Sequence, residues 1–297
     1  MTNSVSSFIS FVFSGISLGS IYALIALGYT MVYGIAKMLN FAHGDVIMIG
    51  GYIVYTAVST YHFPAAVSII TGMITCMILG VLIEKIAYKP LRNCSSLTVL
   101  ITAIGVSYLL QNVALLIFGS DSKNFPSVVP DNWDIKTSVV NISGETIVTL
   151  VVTVVIMIAL TLFVNKTKTG KAMLAVSEDK GAAQLMGINV NRTISITFAI
   201  GSVLAAVASV LLCSTYPLLS PYTGAMPGIK AFTAAVFGGI GSIPGAMIGG
   251  VVLGLIESLS TAYISSQLSN AIVFSVLIIV LLVKPTGLLG KKINEKV

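Results

Sequence analysis

Charge is scarce in this sequence. Only 9 % of its 297 residues are Asp, Glu, Lys or Arg, against roughly a quarter in an ordinary soluble domain. That is too little to coat a water-facing surface, which excludes a soluble enzyme, a nucleic-acid binder and a disordered chain. Cysteine is scarce too. Cys76, Cys94 and Cys213 form an odd set without metal-ligand spacing, so neither a disulfide framework nor a zinc site is available. With two histidines and no H-E-x-x-H, catalytic metal chemistry has no ligands to use. The phosphate-cradling G-x-x-x-x-G-K-[ST] is absent as well. The nearest run, Gly287-Leu288-Leu289-Gly290-Lys291-Lys292, has the wrong spacing and no hydroxyl after its lysine.

The sequence is rich instead in long apolar runs. Seven windows without any charge, 1–36, 46–83, 93–120, 146–165, 193–229, 231–256 and 258–283, each reach or exceed the roughly 20 residues a helix needs to cross the hydrocarbon. A β-barrel would show short alternating strands. The expected fold class is therefore an all-α polytopic membrane protein, a single transmembrane domain over 1–297, sitting in a lipid bilayer. No basic n-region precedes the first window, so its helix is expected to be retained.

Window 46–83 breaks at Tyr61-His62-Phe63-Pro64, where Pro suits a new helix start. The expected spans are then 8–33, 45–60, 64–84, 95–118, 145–164 and 193–214, a Gly-rich stretch at 229–257, and a last span at 268–283, about seven to eight helices in all. Lys and Arg cluster at 85–92, at 166–192 and after Lys284, and such clusters mark cytoplasmic loops. The net charge of +6 follows from this topology and needs no nucleic-acid or anionic partner. Segment 119–144 holds Asp121, Asp131, Asp134 and the lone Trp133 against only Lys123 and Lys136, and is expected to be extracytoplasmic. The N-terminus should then lie outside and the tail, Lys291 to Val297, inside. These sides require an odd number of crossings between 228 and 284. The run Phe237-Gly238-Gly239-Ile240-Gly241-Ser242-Ile243-Pro244-Gly245 supplies a break, which suggests a re-entrant or broken helix near 228–257. Alternatively Gly241, Gly245 and Gly249, four apart, form a close-packing seam of small residues; the two readings are compatible.

Ionisable groups at depth are few. Glu84, Lys230 and Glu257 all fall at expected span ends, where an interfacial place suits them better than a proton relay. A translocating protein with neither an ion relay nor a nucleotide site should draw its energy from partner subunits. The basic loop 165–192 offers a docking element: Ser177 can cap a helix whose first turn carries Glu178 and Asp179 and whose end is marked by Gly187. Ala182, Ala183, Leu185 and Met186 give that helix small and apolar faces where no lipid covers them. Lys180 is expected on its rim.

Glu178-Asp179 to Ala182-Ala183, followed by Gly187-Ile188, resembles a relaxed form of the EAA loop of ABC importer permeases, the helix that docks on the ATPase. The likeness is stronger over 18–35, from Leu18-Gly19-Ser20-Ile21-Tyr22 to Tyr33-Gly34-Ile35, and over Asn40-Phe41-Ala42-His43-Gly44-Asp45. With Met226-Pro227-Gly228-Ile229-Lys230-Ala231-Phe232 and 238–247, these runs are similar to the LivH-type permeases of branched-chain amino-acid importers. The family position at Asp45 is often Glu. The resemblance implies a bacterial cytoplasmic-membrane complex of this chain with a second, homologous permease or a second copy of itself, two ATPase subunits and an extracytoplasmic solute-binding protein. The chain would hold no cofactor, since ATP and Mg would be bound by the partners. Permeases for urea, short amides and other hydrophobic amino acids look alike, and a self-contained channel for a small neutral solute is the alternative of a different class.

Two segments are candidates for the translocation path. Asn40, Phe41, His43 and Asp45 form either a capped helix start, with Asn40 as the cap, or a broken segment beside the path offering polar groups to a zwitterion. Gly238, Gly239, Gly241, Ser242, Pro244 and Gly245 are the other: a helix starting at Pro244 near mid-depth would point free N–H groups at a carboxylate.

Overall fold

A computed structural model of the chain describes residues 2–92, 94–128, 133–136 and 141–290. Asp131 and the tail from Lys291 to Val297 lie outside the described residues. Each apolar window becomes helix. In chain order these are α1 (Thr2–Ala36), α2 (His43–Ser59), α3 (Ala65–Ile83), α4 (Ser96–Phe118), α5 (Gly144–Lys166), α6 (Lys168–Glu178), α7 (Lys180–Leu185), α8 (Val190–Thr215), α9 (Ala225–Gly238), α10 (Ile243–Tyr263) and α11 (Ser269–Val283). Four two-residue strands, β1 (Lys123–Asn124), β2 (Ile135–Lys136), β3 (Asn141–Ile142) and β4 (Leu218–Leu219), pair β1 with β4 and β2 with β3. Helix starts follow local chemistry. Ser95, Ser143 and Asn189 cap α4, α5 and α8 by accepting from the N–H groups of Thr98, Thr146 and Arg192. Pro64 stands immediately before α3.

Among the described residues six helices are long and apolar enough to cross a membrane: α1, α3, α4, α5, α8 and α10. The apolar α11 is shorter. α2 has 17 residues and α9 14, the latter too short to cross at 1.5 Å per residue. The basic residues of 85–92, of α6 and α7, and Lys284 all gather at one end of the bundle, called here the basic end.

α1 is the mast of the bundle. From Leu18 to Val32 every residue is buried, with α10, α8, α9, α5 and α6 around it. It runs antiparallel to α10 along a seam of small residues, in which Gly15 faces Leu255 and Ser258, Gly19 faces Val251, and Gly250 and Gly254 lie against Ala23 and Gly19. Lipid tails are as apolar as leucine, so helix association here rests on close van der Waals contact, which small residues permit. A second seam joins α9 to α10 through Gly245 on Gly238 and Gly249 on Ala234. The outer helices show the reverse pattern. Ile70, Ile74 and Ile78 on α3, Leu109 and Leu116 on α4, and Val151, Val155 and Ile158 on α5 point outward, as lipid-facing side chains do.

Two helices start inside the bundle. α2 begins with His43 against Gly28 of α1, eight residues before that helix ends, and Gly28 in turn faces Gly201 near the middle of α8. Residues 37–42 therefore climb back from the basic end before α2 starts. On the opposite side, α8 ends at the far end and residues 216–224 descend, pinned on the way by the pairing of β4 with β1 and by a hydrogen bond from Phe125 N to Pro217 O (2.8 Å). α9 then begins where Gly224 and Gly228 meet Gly44 backbone to backbone. After α8 the chain thus makes three passes: the descent with α9, then α10, then α11. The route differs from a hairpin that turns back within the bundle.

Candidate functional site

The starts of α2 and α9 meet near mid-depth, each aimed away from the other. Only glycine allows this approach: a Cβ at Gly44 would lie 2.7 Å from the carbonyl oxygen of Gly224, and one at Gly228 would lie 2.9 Å from the Cα of Gly44. Beside the junction is a cavity of about 380 Å³ whose walls include Tyr29, Phe41, Asp45, Ser107, Gln111 and Gly228. Asp45 stands in the first turn of α2, where a carboxylate is favoured by the helix dipole. Gln111 of α4 donates to it (Nε2 to Oδ1, 2.9 Å) and also to Ser107 Oγ (3.3 Å). Below lies a cluster of rings. Tyr29 meets His43 edge-on at 4.7 Å between centroids and Phe232 at 5.8 Å, and Phe232 meets Phe41 at 5.4 Å.

Asn40 does not cap α2. The position before that helix is Ala42, with no side-chain cap, and the Asn40 side chain instead accepts from Tyr88 (Oη to Oδ1, 2.9 Å). Tyr88 is turned inward by a single π-helical turn, Glu84–Tyr88, that continues α3. Of the first candidate segment, Phe41 and Asp45 reach the cavity, while Asn40 and His43 are buried in its supporting wall.

The Gly-rich break is present, but not at mid-depth. Gly238 and Gly239 lie at the basic end, where Leu288 N and Leu289 N donate to Phe237 O (2.8 Å) and Gly238 O (2.9 Å). Gly241 faces Gly34, two residues from the end of α1. Gly239 and Gly241 take φ values of +105° and +93°, which form the tight turn. Ser242 caps α10 by accepting from Gly245 N (3.2 Å), and Pro244 occupies its first turn. No free row of N–H groups faces a cavity here, because the cap and the 287–290 segment cover it. Gly238, Gly239, Gly241, Ser242, Pro244 and Gly245 form a covered turn between two packed helices.

At the basic end the 165–192 segment is structured. Thr167 caps α6 (Gly170 N to Oγ1, 3.0 Å) and Asp179 caps α7 (Ala182 N to Oδ1, 2.9 Å). The cap was expected at Ser177, which lies inside α6 and donates to Leu174 O (2.7 Å). Both residue types cap well, and the extended backbone of Asp179 selects it. Gly187, at φ +81°, ends the turn. Ala183 faces inward, Glu178, Asp179 and Ala182 face out, and Leu185 and Met186 are 90 % and 82 % exposed. Lys180 is not a rim charge. Its ammonium donates to Ala36 O at the C-terminus of α1 (2.8 Å), where helix carbonyls favour a cation. Burial holds its pKa below the ordinary lysine value, and the charges of Arg92 and Lys37 push in the same direction.

Three ionisable groups expected at the interface are paired, Glu84 and Lys230 buried and Glu257 half-buried. Glu84, 0 % exposed, takes a salt bridge from Arg92 and a hydrogen bond from Ser195 Oγ (2.6 Å), and Arg92 also donates to Asn191, joining α3 to the start of α8. Lys230 of α9 pairs with Glu257 of α10 (2.6 Å), and Tyr22 of α1 donates to the second oxygen of Glu257 (2.9 Å). Sequence reasoning missed this pair. The signal available was that Lys230 and Glu257 are lone charges of opposite sign, each separating two apolar windows.

A lipid-facing bundle with helices that start inside it, a cavity at their junction and an uncovered apolar element at its basic end is the build of a membrane permease. Its fold is similar to that of PsaBC from Streptococcus pneumoniae, solved in complex with Fab, with a TM-score of 0.50 over 93 % of this chain and 92 % of that one at 14 % identity. Residues 11–282 match the family described as the permease component of branched-chain amino acid transport systems. The chain is 46 % identical to LivH of Salmonella typhimurium over 98 % of both chains, and 45 % identical to BraD of Pseudomonas aeruginosa over 96 % of both, each a high-affinity branched-chain amino acid transport system permease protein. A probable LivH of Methanocaldococcus jannaschii is 31 % identical over 91 % of this chain. The chain belongs to the branched-chain amino acid transport permease family.

Proposed function

We propose that this chain is the membrane permease subunit of an ATP-driven importer of leucine, isoleucine, valine or similar hydrophobic amino acids in a bacterial cytoplasmic membrane. The near-full-length likeness to LivH and BraD carries the reading. The cavity at the α2–α9 junction supports it: a polar wall at Asp45, Ser107 and Gln111 faces apolar groups such as Phe41, suited to a solute with a charged head and an aliphatic tail. Segment 165–192 is the cytoplasmic coupling loop. Leu185 and Met186 form its apolar anchor for an ATPase subunit, within the set Ser177, Glu178, Asp179, Ala182, Ala183 and Gly187 that positions and rims it. Segment 119–144 lies outside the cell, where a solute-binding protein delivers the ligand. A second permease, homologous or identical, completes the path, and ATP and Mg are bound and used by the two partner ATPases.

The experiment is competition of uptake in vesicles holding the complete transporter. Labelled leucine should enter with ATP and be displaced by isoleucine and valine. Displacement by urea or short amides, with no effect of isoleucine or valine, would overturn the substrate class.

A further inference from the structure

A second cleft, of about 460 Å³, opens at the far end of the bundle between α1, α9, α10 and α11. That volume lies in the range of roughly 300–1,000 Å³ usual for small-molecule sites. Leu18, Leu212 and Met226 give it aliphatic walls, and Asn270 adds an amide. Lys230 and Glu257 stand together on another wall, with side chains only 9 % and 14 % exposed. Removing both charges from water is costly, and one ion pair does not repay it unless the remaining hydrogen-bonding capacity is also used. Tyr22 uses some of that capacity on Glu257. The ammonium of Lys230 has three donors and shows one bond, to Glu257, so two N–H groups are left for an incoming anion. An ionisable pair inside a membrane bundle is a functional feature unless shown otherwise, and the Arg92–Glu84 pair lies elsewhere, at the basic end.

We infer that this cleft is the receiving site for a zwitterionic amino acid on its way into the bundle. The α-carboxylate lies on Lys230, the α-ammonium on Glu257, and the aliphatic side chain between Leu18, Leu212 and Met226. This deepens the proposed import of hydrophobic amino acids and rests on it. A lone lysine would favour anions and a lone glutamate cations; the pair is matched to a ligand carrying both signs. The ligand's carboxylate meets the unused N–H groups of Lys230 and its ammonium meets Glu257, and because the ligand carries both signs no net charge is added to an apolar interior. The first turn of α9 separates this cleft from the junction cavity: Met226 and Pro227 line the upper space, Ala225 and Gly228 the lower. The two spaces lie on different faces of the same turns of α9, whose residues line them in alternation.

The test uses the complete transporter in vesicles. The double variant Lys230→Met with Glu257→Gln removes both charges and leaves no unpaired ion. It should assemble with its partner subunits and hydrolyse ATP within twofold of the parent, while leucine uptake falls at least tenfold through a raised KM. Lys230→Arg, which keeps the cation, should retain uptake. Uptake by the double variant within twofold of the parent would make the pair a clamp between helices and overturn the site. Should the double variant fail to assemble, Thr261→Cys on the rim of the cleft, in a Cys94→Ser background, decides. Modification by a thiol reagent should be slowed at least threefold by leucine, and an unchanged rate in vesicles that import leucine would overturn the site alone. A parent transporter that imports no hydrophobic amino acid would instead overturn the substrate reading.

Discussion

Leu185 and Lys180 stand five residues apart and do opposite work. Leu185 is almost wholly exposed and touches little of its own chain, so replacing it should not disturb the bundle. Leu185→Asp puts a charge on the surface proposed to dock an ATPase. Truncating such an anchor typically costs about 2 kcal/mol or more, and ATPase co-purification should fall at least tenfold while the variant still extracts as a folded protein. Equal co-purification with the parent would remove the docking role. Lys180→Ala, silent if Lys180 were a rim charge, instead loses the tie from α7 to Ala36 at the end of α1. It should keep the ATPase bound yet lower coupling, read as ATP hydrolysed per leucine imported. An unchanged ratio would leave the tie without a role in coupling.

At the scale of elements, Gly254 shows how the bundle closes. A Cβ there would fall on the backbone of Gly19, and overfilling a packed contact costs about 1–3 kcal/mol. Gly254→Val should lower the thermal unfolding midpoint in detergent by several degrees, whereas Gly105→Val, at a glycine with open space around it, should shift it little. Equal shifts would argue against the α1–α10 seam. The long helices were legible because lone charges mark the ends of their apolar runs. The short ones were not. Gly44, Gly224 and Gly228 look like any other small residues in an apolar run, and their contact joins points about 180 residues apart in the chain, a distance no local pattern spans. The break at Gly238–Ser242 was legible as a break, since it holds Gly and Pro at close spacing. Its depth was not, because depth is set by Leu288 and Leu289, which reach it from beyond α11. Lys230 and Glu257 were visible as isolated charges but lie 27 residues apart on different helices, so their pairing shows only in three dimensions.

Across the whole molecule, the charge pattern and the helix directions give one topology. Single cysteines at Ser127 and Ser177, in a Cys94→Ser background, should be labelled by an impermeant reagent from outside and from inside respectively. Labelling of both from the same side would break the arrangement in which α5 separates the two segments. In the proposed function, solute arrives at the far-end cleft and ATP is used by partners docked at the exposed Leu185–Met186. The proposed function requires that the chain move solute only when driven by its partners. The most direct measurement is leucine uptake into vesicles holding this chain with its partner permease, either with or without the two ATPase subunits and ATP. Uptake should require the ATPases and hydrolysable ATP and be near background without them. Rapid leucine equilibration through vesicles that contain no ATPase subunit would contradict the account and make the chain a channel.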